Sequence, residues 1–271
     1  RDIGVTGVQT CALPILKVAR EGGIVTVTFN RPDVKNATNA QMHQELVRIW
    51  PDIAADREAR VVILTGAGDA FSAGGDIEGM KRSLDDQVRW IDSMIEAREI
   101  LRGVMDLDCP VIAKVNGHAI GLGATLALFC DIVIARDTAK IADPHVKVGL
   151  VAGDGGSLIW PQLIGYARAK RYLLLGEAIT GKEAAEIGLV TEALPADQLD
   201  ARVDAIASQL AAGAAVAIRL TKRAINMDLR QRFDTMIEAH LGYETMSHLS
   251  EDHREAVMAF AEKRDPKFTG R

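Results

Sequence analysis

Phe71-Ser72-Ala73-Gly74-Gly75-Asp76-Ile77 and Asn116-Gly117-His118-Ala119-Ile120-Gly121-Leu122-Gly123-Ala124 are the two stretches on which the reading of this chain turns. Each follows an apolar run that reads as a buried strand, Val61-Val62-Ile63-Leu64-Thr65 in one case and Val111-Ile112-Ala113-Lys114-Val115 in the other. Each then offers small residues where a main-chain N–H can come close to an anion. The second also opens a helix, whose N-terminal end favours negative charge. Neither is a nucleotide fingerprint: Gly121-Leu122-Gly123-Ala124-Thr125-Leu126 lacks the third glycine and lies mid-chain, and no P-loop is present.

Upstream, Lys17 to Arg20, a Glu21-Gly22-Gly23 turn and Ile24 to Phe29 read as a β-hairpin, and Asn39 as the N-cap of an amphipathic helix reaching about Ala55. Between the two loops a long helix is expected from Leu84 to Met105. Beyond them come short strands at Asp131–Ala135 and Ala139–Ala142 and helices at Ser157–Pro161, Ala167–Leu175 and Lys182–Ile187. Strands alternating with helices predict an α/β core with parallel pairings. After Pro195 the pattern is helical, over Asp197–Ala212, Ala215–Asn226, Phe233–His248 and Glu251–Lys263. The expected division is a core over residues 16–195 and a helical oligomerisation region over 196–271. Residues 1–15 resemble the translation of a DNA-sequencing adapter and are set aside, which puts the expected native start near Leu16.

Composition narrows the function classes. The 271 residues carry 32 Lys+Arg against 37 Asp+Glu, a formal net charge of -5, which argues against a phosphate-neutralising nucleic-acid binder. No apolar run approaches the roughly 20 residues of a membrane span, so a cytoplasmic protein with no membrane partner is expected. Cys11, Cys109 and Cys130 show neither zinc nor disulfide spacing, and His43, His118, His240, His248 and His253 show no metal-ligand spacing; no metal site is expected.

The two loops in this order, together with Asn30-Arg31-Pro32 and Asn36-Ala37, Val115-Asn116-Gly117, Cys130-Asp131, Gly188-Leu189-Val190 and Ala259-Phe260-Ala261-Glu262-Lys263-Arg264, resemble the crotonase superfamily, the enoyl-CoA hydratase/isomerase family. The resemblance runs from Leu16 to Arg271. It implies a crotonase-like spiral of ββα units with a C-terminal helical trimerisation region, assembled as a homotrimer or a dimer of trimers. It also implies that the N–H groups of Ala73 and Leu122 hold the oxygen of a thioester enolate. Coenzyme A, as part of the substrate rather than a bound cofactor, would lie along Ala37, Ser72, Gly74, Gly75, Asp76 and Ile77, with Lys35 and either Lys263 or Arg264, of this or a neighbouring subunit, reaching its phosphates. Glu78, where relatives often carry a basic residue, would repel them.

Hydratases of the family carry two water-activating glutamates; the matching positions here are Thr125 and His145. Threonine is no general base near neutral pH. The chain instead carries Asp143-Pro144-His145 and, further on, Asp154-Gly155-Gly156. A carboxylate can orient a histidine and raise its basicity. A His145–Asp154 pair resembles the crotonase-fold β-diketone hydrolases, which break a carbon–carbon bond by a retro-Claisen step; there His145 would deprotonate water, Asp154 orient it and Glu244 hold substrate or water. Asp154 also suits a helix N-cap. Three activities stay open: hydration or isomerisation of an acyl-CoA, hydrolytic cleavage of a β-dicarbonyl, and a catalytically silent acyl-CoA-binding scaffold.

Overall fold

The computed structural model describes residues 15–271; Cys11 and all but the last residue of the adapter-like stretch lie outside the described residues. Two sheets form the frame. In the first, β1 (Leu16–Glu21) and β2 (Ile24–Phe29) make the antiparallel hairpin, and β2 continues in parallel into β3 (Val61–Gly66), β5 (Val111–Val115), β7 (Ile132–Arg136) and β10 (Glu192–Leu194). The second holds the short strands β4 (Ala70–Ser72), β6 (His118–Ile120), β8 (Lys140–Ala142) and β9 (Ile179–Thr180), with β4, β6 and β8 parallel and β9 antiparallel to β8.

The chain climbs between the sheets in repeated steps: β3 into β4, β5 into β6, β7 into β8, each step followed by helix. This is the ββα spiral that the loops imply. The helices are α1 (Ala40–Ala55), α2 (Ile77–Ser83), α3 (Gln87–Asp106), α4 (Leu122–Leu128), α5 (Gly156–Leu175), α6 (Gly181–Glu186), α7 (Ala196–Ala212), α8 (Ala215–His248) and α9 (Glu251–Ala261). Asn39 caps α1 as expected, its Oδ1 accepting from the Met42 N–H at 2.9 Å. None of the single helices among the described residues is long and apolar enough to cross a membrane.

Two helix boundaries differ from the sequence pattern, each for a local reason. The helix expected over Leu84–Met105 is α3, which starts at Gln87 because Asp86 caps it (Arg89 N–H at 3.0 Å), and the short α2, capped by Asp76 (Glu78 N–H at 3.0 Å), precedes it where no helix was expected. The two helices expected at Ser157–Pro161 and Ala167–Leu175 are the two arms of α5, broken at the non-helical Gly165 (φ 76°, ψ 159°). The pair at Ala215–Asn226 and Phe233–His248 is the single α8, since Met227 to Arg232 contains no breaker.

One face of the first sheet is covered by α7, whose Leu199, Val203 and Ala207 pack on Val61, Ile63, Ile112 and Ile134. The main core fills the other side. Across it runs α8, with Phe233, Ile237, Leu241, Glu244 and His248 buried at three- and four-residue spacing along one stripe. A buried ion pair pins this helix near the sheet: Lys222 Nζ meets Asp131 at 2.7 Å and donates to the Cys109 carbonyl at 3.0 Å, while Asp131 accepts the Val111 N–H at 2.7 Å.

Further along, α8 crosses the loop before α5 at Gly153. A Cβ there would overlap the His240 carbonyl oxygen and lie 2.8 Å from Glu244 Cβ, so only glycine lets the two backbones touch. Gly153→Ala should therefore lose about 1–3 kcal/mol of stability, the usual cost of overpacking a rigid contact. Urea unfolding of the two proteins measures it, and an unchanged midpoint would show that α8 yields freely at this crossing.

Candidate active site

The spiral brings the two diagnostic loops side by side. Gly74 has φ +79°, and a Cβ on it would sit 2.6 Å from the Ile120 carbonyl oxygen, so the contact needs glycine on both grounds. Behind the loops opens a cavity of about 850 Å³, bounded also by α1, α3 and the segment carrying His145. That volume suits a small-molecule site.

Two main-chain donors face this cavity without a protein acceptor. Leu122 is the first residue of α4, so its N–H has no intrahelical partner. The second is Gly75. A parallel bridge between Thr38 and Gly75 uses the groups on either side, Thr38 N–H to Gly74 O at 2.7 Å and Asp76 N–H to Thr38 O at 3.1 Å. Gly75's own N–H points away from Thr38 and donates to none of the described residues. Ala73, the position that the resemblance implied, is corrected by the same pairing, because its N–H is taken by the Lys35 carbonyl at 2.9 Å.

Ala37, Gly74, Gly75, Asp76 and Ile77 line the cavity, as does Leu122. Asp76 is shared with structure: it caps α2 and lies 3.4 Å from the Arg31 guanidinium. Ser72 does not face a ligand. It is buried, its Oγ donating to the Asn36 carbonyl at 2.9 Å and accepting from the Gly74 N–H at 3.2 Å. Lys35 is exposed and off the cavity wall. Lys263 and Arg264 are off it too, and Arg264 is held within its own region by Glu255 (2.5 and 2.9 Å) and Glu262 (2.6 Å). Phe260 on α9 and Arg89 on α3 do line the wall, and Glu78 does not.

The acid–base residues His145, Asp154 and Glu244 line the same cavity, and a Cβ on Gly121, next to Leu122, would lie 3.8 Å from His145 Cε1. His145 starts a 3-10 turn, His145–Val148, directly after β8. Its Nδ1 is hydrogen-bonded to Asp143, and its Nε2 lies 3.6 Å from Asp154 Oδ2 and 3.9 Å from Glu244 Oε1. The sequence pairs His145 with Asp154; the structure adds Asp143 as the carboxylate on Nδ1, a partner only two residues away that the Asp143-Pro144-His145 triplet already displayed. Gly155, not Asp154, occupies the N-cap of α5. Thr125 is fully buried and does not line the cavity. Asp143, Asp154 and Glu244 are 1–5% exposed, and each keeps one carboxylate oxygen without a partner. Ligand atoms of Asp143, His145 and Asp154 lie within 4.8 Å of one another, a density that also suits a cation.

Burial and mutual charge decide the protonation. Burial opposes the imidazolium of His145, but the carboxylates of Asp143, Asp154 and Glu244 outweigh it and hold its pKa well above the ordinary histidine value. Asp154 is raised by burial, against the pull of His145 and with a push from Asp143. Glu244 is raised well above the glutamate range, by burial first and by Asp154 second. All three groups thus bind protons more tightly folded than unfolded. Their stabilising contribution is complete below the unfolded carboxylate pKa of roughly 4 and is lost as pH rises through the folded values. Glu244→Gln removes one such group without changing shape, so its melting temperature should fall less between pH 5 and 8 than that of the wild type. Parallel melting curves against pH would refute this reading of the cluster.

The chain matches the family model described as "Enoyl-CoA hydratase/isomerase" over residues 19–271. Among curated proteins it is 35% identical over 253 residues to the 1,2-epoxyphenylacetyl-CoA isomerase of Escherichia coli, covering 93% of this chain and 97% of that one. Among solved structures it is similar to an enoyl-CoA hydratase/isomerase from Mycobacterium paratuberculosis (37% identity, TM-score 0.87, 92% of this chain and 99% of that one). It is also similar to a β-diketone hydrolase from the cyanobacterium Anabaena bound to (S)-3-oxocyclohexyl acetic acid (31% identity, TM-score 0.81, 87% and 94%). With the spiral fold, the paired loops and near-full coverage in agreement, this chain belongs to the enoyl-CoA hydratase/isomerase family.

Proposed function

We propose that this enzyme moves a proton on the acyl part of a coenzyme A thioester through an enolate, with the carbonyl oxygen between the N–H groups of Gly75 and Leu122 and with His145 and Asp154 as the proton-transfer pair. The observation that carries the reading is the convergence on one cavity of two unspent main-chain donors and a buried imidazole flanked by carboxylates. Donors preorganised at a developing negative oxygen lower the barrier most where water is excluded. The carboxylates around His145 hold its pKa well above the ordinary histidine value, so its ring keeps a proton more firmly than a free imidazole. It is therefore the group that hands a proton to the enolate carbon, and Asp154, made more basic by burial, is the group that takes one away. Arg89 on the cavity wall supplies a cation for the phosphates, and Glu78 lies off that wall.

A second reading uses the same parts. Water adds to the second carbonyl of a β-dicarbonyl, Asp154 taking its proton; the carbon–carbon bond breaks, its electron pair passes into the enolate held at Gly75 and Leu122, and His145 protonates the enolate carbon. The exclusion of Thr125 from the cavity favours it over two-glutamate hydration, and so does the similarity to the β-diketone hydrolase. In either reading the enzyme works in the cytoplasm, and exposed Val216, Leu220 and Met227 along α8 suit association with further copies of the chain.

Two variants test the shared step. Leu122→Pro deletes one donor at the helix position that best tolerates proline; turnover should fall about 10²–10³-fold, as for loss of an oxyanion donor, with helical circular dichroism unchanged. Asp154→Asn should stop the exchange of the α-protons of butyryl-CoA with D₂O, followed by NMR, while acetoacetyl-CoA, an enolate mimic, still binds in a calorimeter. Exchange at the wild-type rate in the Asn variant would remove Asp154 from the mechanism.

A further inference from the structure

The stretch from His145 to Asp154 carries both members of the proton-transfer pair, yet beyond the 3-10 turn over His145–Val148 it contains no helix or strand. Its internal hydrogen bonds, such as Lys147 N–H to the Pro144 carbonyl at 2.8 Å and Leu150 N–H to the His145 carbonyl at 2.9 Å, shape the turn without fixing where it sits. The corner between α8 and α9 anchors its middle. There the Val148 carbonyl accepts from His253 Nδ1 at 2.7 Å, and the Val151 N–H donates to Ser247 Oγ at 3.0 Å. Between these two bonds Gly149, at φ +69°, lies so close to α9 that a Cβ on it would be 2.8 Å from the His253 N and Cα.

His253 is fully buried, and its Nε2 has no partner. Burial lowers its pKa, so the ring at neutral pH carries one proton; a carbonyl can only accept, which puts that proton on Nδ1. The ring packs at 5.0 Å, centroid to centroid, on His248, and His248 is stacked at 3.8 Å on Trp90, whose Nε1 donates to Thr245 at 3.1 Å. Thr245 is the residue after Glu244 on α8. The corner that grips the His145 turn is therefore built into the helix that brings Glu244 to the cavity. For packing alone an apolar side chain would serve a dry position better, because a buried nitrogen without a partner costs stability.

We infer that His253 is a positioning residue: its hydrogen bond to Val148 sets where the His145 turn sits, and so keeps His145 Nε2 at 3.6 Å from Asp154 and 3.9 Å from Glu244. His253 is not on the cavity wall, so it acts only through the turn. The inference rests on the proposed roles of His145 and Asp154 and adds the residue that holds the two in register.

Exchange of the α-protons of butyryl-CoA with D₂O, measured as a function of thioester concentration for wild type, His253→Leu and His253→Asn, tests it. Leucine and asparagine are alike in shape, but asparagine offers an N–H where Nδ1 lies. The maximal exchange rate of His253→Leu should fall about 10- to 100-fold, as for a catalytic group misplaced by up to about 1 Å. Its half-saturating concentration, and its calorimetric affinity for acetoacetyl-CoA, should stay near the wild-type values, and His253→Asn should recover most of the rate. An unchanged rate in His253→Leu, equal losses in both variants, or rate and affinity falling together would make His253 a packing residue and overturn the inference. Should His253→Leu fail to fold, Ser247→Ala, which frees the Val151 N–H at the same corner, should lower the maximal rate in the same way, and an unchanged rate there would overturn it. Nitrogen-15 NMR of the wild type gives a check without variants: His253 should show the Nδ1–H tautomer at pH 7, and an Nε2–H signature would remove the bond on which the inference stands. These failures leave the proton-transfer reading intact, whereas a wild type that exchanges no α-proton would overturn that reading and this role with it.

Discussion

Three carboxylates and one imidazole share a pocket that water barely reaches, and the rest of the molecule is arranged around making that tolerable. Burying one unpaired charge is already costly and like charges add to the cost, so Asp154 and Glu244 bind protons more tightly than free carboxyls do. Asp143 is hydrogen-bonded to His145 Nδ1. A proton donor and a proton acceptor within 4 Å of one another across Nε2 follow from electrostatics alone. Neither requires a metal or a shifted backbone.

Three separate parts of the chain meet to build this cluster, and each is positioned by a different device. Asp143 and His145 follow β8, whose place is fixed by its register with β6 and β9. Asp154 comes from the loop that Gly153 lets approach α8. Glu244 sits far along α8, which is pinned near its other end by the buried Lys222–Asp131 pair and along its length by Phe233, Ile237 and Leu241. The donors are built from main chain. Loop pairing turns the Gly75 N–H away from Thr38, and the start of α4 leaves the Leu122 N–H unpaired. Main-chain donors cannot swing away when substrate is absent, so they meet a developing charge without reorganising.

The parts of this design that were legible in the sequence are those set by local pattern. The apolar runs, the glycine-rich loops, the Asn39 cap and the Asp143-Pro144-His145 and Asp154-Gly155-Gly156 segments all depend on neighbours within a few residues, and they placed the spiral, Leu122, His145 and Asp154. What depended on pairing between distant segments was not legible. Whether Ala73 or Gly75 offers a free N–H is decided by which carbonyl lies opposite, Lys35 in one case and none in the other. The choice of Asp143 for Nδ1 depends on how the turn folds back, although the residue was in plain view. Lys263 and Arg264 read as phosphate ligands because charge is visible in a sequence; that Glu255 and Glu262 already neutralise Arg264 is visible only in three dimensions. The bond from His253 to Val148 was unreadable for a related reason, since the two lie on segments that meet only in the fold.

The division of the site between main-chain donors and titratable side chains bears on how one family can host different reactions. Donors of this kind stabilise an enolate oxygen whatever made the enolate, whether loss of an α-proton or rupture of a carbon–carbon bond. On the proposed reading the reaction is decided by where protons can be taken and given by the side chains. Here the titratable side is a histidine whose pKa the carboxylates hold well above the ordinary value, an aspartate made more basic by burial, and a glutamate whose charge burial and Asp154 oppose. A paired-glutamate hydratase has no such histidine, and the place where this chain would carry one of its carboxylates is Thr125, sealed from the cavity. A site of this kind supplies a proton more readily than it supplies hydroxide, which is what the collapse of an enolate to a ketone or thioester demands. On the proposed reading, a bias toward enolate protonation follows from the charge crowding around His145, for any substrate whose carbonyl meets the N–H groups of Gly75 and Leu122.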